Sequence, residues 1–144
     1  MNIYETSEII KAGLMNGTEN ESDLLYGVNV EVDPYRNLSA RVPFVLIESD
    51  RTEFVNAEQG FVVTQDHYFS LSCVVQAQSK EFIDYKNNVN ALVKNVIDKM
   101  LDITDENIQK IVPVELGHAE MMIGSLKTSA VVITVMVRTY WEDL

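Results

Sequence analysis

Basic residues are scarce in this chain, cysteine is nearly absent, and no apolar run is long. Eleven Lys and Arg face 22 Asp and Glu, a net charge of −11. A protein that grips nucleic acid by its phosphates needs the opposite sign, so such binding is excluded as the main task. An acidic surface can still line a passage that DNA crosses without sticking. Cys73 stands alone, which rules out an intramolecular disulfide. Its apolar strand context makes it a small buried hydrophobe. No stretch approaches the ~18 apolar residues of a membrane span. The opening Met1-Asn2-Ile3-Tyr4-Glu5 has neither the basic nor the apolar region of a secretory signal. On that expectation the Asn-x-Ser/Thr triplets at Asn16, Asn20 and Asn37 carry no glycosylation meaning. Long internal repeats and low-complexity tracts are also missing.

What is present suffices for one domain, 1–144. A chain of 144 residues that is 47% hydrophobic buries roughly 68–70% of its unfolded surface without staples. Residues 3–15 read as a helix with Ile3, Ile10 and Leu14 on one side and Thr6 or Ser7 as partial caps. Asn16-Gly17 stops it, Gly17 suiting a left-handed position. From Gly17 to Asp33 there are five acids and no Lys or Arg. Within that connector Tyr26, Val28, Val30 and Val32 alternate as in a strand, and Asp33-Pro34 reads as a turn. A polar connector of this length is normally mobile, so an ordered one needs something to hold it. Arg36 and Arg41 bracket the polar stretch that follows.

Residues 42–48 read as a strand in which Phe44-Val45-Leu46-Ile47 is continuously apolar, a sign of cover on both faces, with Pro43 at its start or on an edge. Residues 48–60 read as polar turns around Phe54 and Val55, and 61–63 as a short strand or hairpin arm. Residues 67–77 form a clean strand. Phe69, Leu71, Cys73, Val75 and Ala77 share the buried face; Tyr68, Ser70, Ser72, Val74 and Gln76 share the face expected to be mostly solvated. Residues 80–101 read as one long amphipathic helix capped by Ser79, with Phe82, Tyr85, Val89, Leu92, Val93, Val96, Met100 and Leu101 on its stripe. A two-turn helix at 104–110 is expected next. The last two strands are 112–123 and 128–140, joined at Gly124-Ser125. The apolar phase of the first flips between Leu116 and Ala119, which points to a bulge at Gly117-His118. The second has Val131, Ile133, Val135 and Val137 on one face and Ala130, Val132, Thr134, Met136 and Arg138 on the other. That second face is apolar enough to need cover. The sum is an α+β fold: a mostly antiparallel sheet packed against one long amphipathic helix, with a short N-terminal helix.

Chemistry is hard to find. His67 beside Asp66 can be an acid–base element but is read as a surface loop pair; His118, near Glu115 and Glu120, could share a face with Glu120, but two ligands do not make a metal site. Glu48-Ser49-Asp50 lacks the further acids and lysine of a nuclease edge. Asp102-Ile103-Thr104-Asp105-Glu106 lacks the glycine and terminal glutamate of a calcium loop. No nucleophile elbow, zinc-helix motif, paired-cysteine motif or phosphate loop occurs. The expectation is no catalysis, no cofactor and no metal. The last seven residues are Arg138-Thr139-Tyr140-Trp141-Glu142-Asp143-Leu144, among them the Arg, Tyr and Trp enriched at interface hot spots.

This layout has a resemblance. A short helix leads to a variable loop, then to "VPFVLIE" entered through proline, then to "HYFSLSCVVQA", an amphipathic helix, and two closing strands that end in aromatics. It resembles the tail terminator, or tail completion, proteins of tailed bacteriophages and phage-tail-like particles, over nearly the whole chain, in architecture more than in any signature motif. The resemblance implies a structural virion protein that assembles in the bacterial host cytoplasm. It implies a homo-oligomeric ring, typically of six copies, that caps the tail tube, stops its growth and meets the neck or head connector. In contractile tails it also meets the sheath, and DNA passes through the lumen without specific binding. No membrane is involved. Under this reading Arg36, Arg41, Val132, Met136, Arg138, Tyr140 and Trp141 are the interface candidates. The competing expectations are another head–tail adaptor, or a small acid–base enzyme.

Overall fold

The computed structural model describes residues 1–33, 43–55, 63–75, 82–123 and 126–141, the side chains of 82–88, 121–123 and 126–129 excepted. It is an α+β fold of two helices and one five-stranded mixed sheet. Helix α1 spans Ile3–Met15. Its cap is Asn2, not Thr6 or Ser7. The Asn2 side chain accepts from the Glu5 N–H at 2.8 Å and donates back to the Glu5 carboxylate at 2.8 Å, a reciprocal closure of the first turn. Thr6 and Ser7 are buried instead, donating to the carbonyls of Asn2 and Tyr4. Asn16 ends the helix in extended backbone, and Gly17 follows at φ 77°, a conformation that a side chain disfavours.

The acidic connector is a staircase of turns, in which the N–H groups of Thr18, Asn20, Asp23, Tyr26 and Val28 each reach back three residues. It is held from within the chain. Leu25 is fully buried in the core. Lys99 donates to the Asn16 carbonyl at 2.7 Å and to Asp23 at 2.6 Å, and Asn95 donates to the Leu24 carbonyl at 3.1 Å. The connector ends in a four-residue strand, β1 (Asn29–Val32).

Strand β2 (Phe44–Val55) is longer than the 42–48 expected. Its second half is polar yet pairs residue for residue with β3 (Thr64–Val74), after a register shift between Ser49 and Arg51. Helix α2 (Phe82–Leu101) follows. Of its expected stripe, the side chains of Phe82 and Tyr85 lie outside the described ones; Val89, Leu92, Val93, Val96 and Met100 are buried, while Leu101 is exposed. The expected cap, Ser79, lies outside the described residues, as do Gln76, Ala77 and the Gly124-Ser125 turn. No helix forms at 104–110. A turn through Asp105–Asn107 opens directly into β4 (Ile108–Ile123), which pairs with β5 (Leu126–Tyr140).

The sheet order is β1-β2-β3-β5-β4. Three pairings are antiparallel and β1-β2 is parallel, a parallel edge the sequence reading did not anticipate. One face carries both helices. Val45, Ile47, Phe69, Leu71, Cys73, Val131, Ile133, Val135 and Val137 meet Ile10, Leu14 and the α2 stripe there, each large side chain contributing about 1.5–3 kcal/mol by burial. The opposite face is not mostly solvated. Phe44, Leu46, Val74 and Ala130 form a second buried cluster, so part of that apolar face is covered within the chain. Gly13 lets α1 approach Ile103 closely: a Cβ there would meet the Ile103 side chain at 2.5 Å.

Candidate interaction surface

Three regions concentrate chemistry or exposure. The first is the sheet end where α1 begins. His67 faces the helix side and is buried, with Nδ1 2.8 Å from the Thr52 hydroxyl and Nε2 3.1 Å from both the Met1 carbonyl and the Thr139 hydroxyl. A carbonyl only accepts, so Nε2 carries the proton and Nδ1 accepts from Thr52. Gln65 donates to the same carbonyl and to Thr139. Burial lowers the His67 pKa below its usual value; the Met1 carbonyl opposes that shift. The expectation of a surface pair with Asp66 therefore fails. Alternation along β3 sends the two side chains to opposite faces. His67 anchors the chain at Met1, and Asp66 pairs across the strand with Arg138.

That pair lies on the other face. Arg138 donates to both carboxylate oxygens of Asp66, at 2.7 and 3.0 Å, a bidentate fork that raises the arginine's pKa. Beside it Arg51 lies 4.0 Å over the Tyr68 ring while paired to Asp50 and Glu53. Among the interface candidates, Arg138 thus meets a partner in its own chain. Val132 and Tyr140 are half-buried and Met136 is buried. Arg36 and Arg41 lie outside the described residues. Trp141 is 46% exposed and packs edge-on against the more exposed Phe54, ring centroids 5.3 Å apart. Its N–H donates to the carbonyl of exposed Val63. The C-terminal aromatic is therefore fastened by the backbone while its ring stays in solvent.

The second region is a groove of about 600 Å³ between the C-terminal ends of the helices, lined by Ile9, Gly13, Asn16, Asp23, Lys99 and Ile103 among others. Its floor is the Lys99–Asp23 ion pair, in which the lysine holds the Asp23 carboxyl below its ordinary value.

The third is β4 itself. The register breaks at Pro113/Glu115, leaving Val114 unpaired. The bulge that flips the apolar phase is there, not at Gly117-His118. Leu116 consequently stands opposite Ile133 on the helix side, yet it is 58% exposed, and Val114 is also exposed. Periodicity alone put Val112, Val114 and Leu116 on one face. The overlooked signal was Pro113, which within a strand marks an edge or a bulge. His118 is exposed, opposite Val131. Among the described residues no three His, Cys, Asp or Glu gather closely enough to hold a metal ion, and no helix is long and apolar enough to cross a membrane. Comparison with known protein families and with curated proteins finds no match.

Proposed function

We propose that this chain is a structural virion protein, not a catalyst. In this reading it forms a ring of six copies on the end of a phage tail tube, stops tube growth and joins the tail to the neck or head connector. The observation that carries the reading is the sheet edge at β4, where Val114, Leu116, His118 and Ala119 stand exposed beside a buried β5. An open edge with exposed apolar side chains suits a protein that joins others. The layout that resembles tail terminators supports it: the N-terminal helix, the strand entered at Pro43, and the closing β4–β5 hairpin ending at Tyr140 and Trp141. In this reading the whole 80–101 segment acts as one long amphipathic helix that fixes the sheet. The tube protein, the connector and, in contractile tails, the sheath are its partners. The acidic surface faces passing DNA without retaining it. Its place is the virion tail or neck, after assembly in the bacterial host cytoplasm.

Electron microscopy of tails assembled without this protein is the direct test. Tubes of uncontrolled length that fail to join heads are expected. Tubes of normal length, joined to heads, would overturn the reading. Tubes of normal length that lack heads would point instead to a head–tail adaptor.

A further inference from the structure

We propose that the trough over Ile103, from the ends of the two helices to the start of β4, is the docking site for a basic segment of a partner protein, one with apolar side chains between its cations. The inference stands apart from the ring reading above. The groove of about 600 Å³ between the helix ends does not stop at Ile103. A second groove, of about 310 Å³, continues between Leu101 and Ile111, and the two share a wall of Ile103, Thr104 and Asp105. Apolar side chains along it are left in water: Ile9, Ile103, Ile108 and Ile111 are half-buried and Leu101 is 52% exposed. The shared wall is fixed in advance. Ile103 lies against Gly13 and its N–H donates to the Met100 carbonyl at 3.1 Å. The Asp105 carboxylate accepts from the Asn107 N–H at 2.9 Å, and its carbonyl from the Ile108 N–H at 3.1 Å. A preformed groove loses little freedom when it is filled.

Charge selects the occupant. Asp23, Asp102 and Asp105 line the first groove together with one cation, Lys99, and that lysine is bonded to Asp23 and the Asn16 carbonyl. Both helices end here, and a helix C-terminus favours cations; the last turn of α1 has no basic residue of its own. Lys110 stands at the β4 end of the trough. The partner's cations therefore belong over the helix ends, and its apolar side chains along the isoleucines. A metal ion does not fit, because among the described residues no three His, Cys, Asp or Glu gather closely enough to hold one. A second copy fits poorly, because it brings 22 acids against 11 Lys and Arg. A basic segment meets both features of the trough. The stems of its lysines or arginines cover the isoleucines, and their heads reach Asp102 and Asp105.

The test titrates the full chain, its isoleucine methyl groups labelled for NMR, with a short synthetic peptide of leucines and lysines and, separately, with one of leucines and glutamates. Saturable shifts centred on the methyls of Ile9, Ile103 and Ile111 are expected with the lysine peptide alone. Asp102→Lys is expected to weaken that binding about tenfold. Glu115→Lys makes an equal change of net charge on the other face of the sheet, where Glu115 stands opposite Thr134, and is expected to change it less than ~2-fold. Asp102 and Glu115 are both exposed, so neither variant disturbs the core, and circular dichroism checks the fold of each. The proposal is overturned if the lysine peptide shifts none of those methyls, if Glu115→Lys weakens binding as much as Asp102→Lys, or if the glutamate peptide binds equally well. Shifts of the same methyls on diluting the chain alone would assign the trough to a second copy and overturn it too.

Discussion

The two ends of the sheet solve opposite problems. At the end near α1, polar groups are taken out of water and each finds a partner: His67 meets Thr52, Thr139 and the Met1 carbonyl, Gln65 meets that carbonyl and Thr139, and Asp66 meets Arg138. At the β4 end, apolar groups are left in water: Val114 and Leu116 have more than half their surface exposed. The first arrangement tolerates little change, because removing one partner strands a desolvated group. The second tolerates much within the monomer, because little is buried. Fixed geometry at one end therefore serves the fold, while the other end leaves apolar side chains exposed.

The same substitution at two sites separates core from edge most sharply. Val96→Asp puts an unpaired charge under the sheet, where Val96 is fully buried, and costs several kcal/mol. Loss of the folded monomer in circular dichroism is expected, and a soluble, cooperatively melting variant would show the α2 stripe to be misassigned. The next largest effect is Arg138→Ala, which leaves Asp66 buried without its fork. About 2–3 kcal/mol of lost stability is expected in urea unfolding; a loss below ~0.5 kcal/mol would mean that Arg138 matters only between chains.

Acid sharpens the polar end further. The folded-state pKa of His67 lies below its ordinary 6.5, so the unfolded chain binds the proton more readily. Stability is then complete above pH 6.5 and falls as the pH drops through the lowered value. His67→Gln should flatten that part of the stability-versus-pH curve, and an unchanged slope between pH 7.5 and 5 would remove His67 as its source. Gly13→Ala is expected to destabilise by about 1 kcal/mol, the ~1 kcal/mol gain in helix propensity losing to the clash with Ile103. Trimming Ile103 to Ala in the same chain should reverse the sign of the Gly13→Ala increment. The smallest effect belongs to the edge: Leu116→Asp should shift monomer stability by less than ~0.5 kcal/mol, and a larger loss would mean that Leu116 is packed.

Signals carried by a few adjacent residues were legible. Helix α1 has the expected bounds because Asn16-Gly17 stops it locally, and the final strand keeps Val131, Ile133, Val135 and Val137 buried on the helix side, as its alternation implies. Where a neighbour decides, the sequence misled. Residues 50–55 look like turns, and β3 pairs them into a strand. Residues 104–110 look like a helix start, and pairing with β5 draws Ile108 onward into β4. The second face of β3 looks solvated through Ser70 and Ser72, but Val74 shares a buried cluster with Phe44 and Ala130. The candidate surface was legible only in part. Trp141 is exposed with hot-spot character, whereas Leu116 was hidden by a bulge three residues from where the phase change pointed. Arg138 looked available because the register that sets it against Asp66 cannot be read from either strand alone.

The central seam has a consequence for how fast the chain folds. Strands β2 and β3 form one hairpin-like unit and β4 and β5 another, each joining residues close in sequence. The β3–β5 ladder, from Thr64↔Tyr140 to Cys73↔Val131, encloses the whole of α2 and β4. Its loop-closure entropy must be met before the buried valines of β5 return anything. The two units form early and wait for each other. In that interval the inner edges of β3 and β5 are both open, which makes the seam, not the finished outer edge, the place where the chain is most prone to pair with a wrong copy.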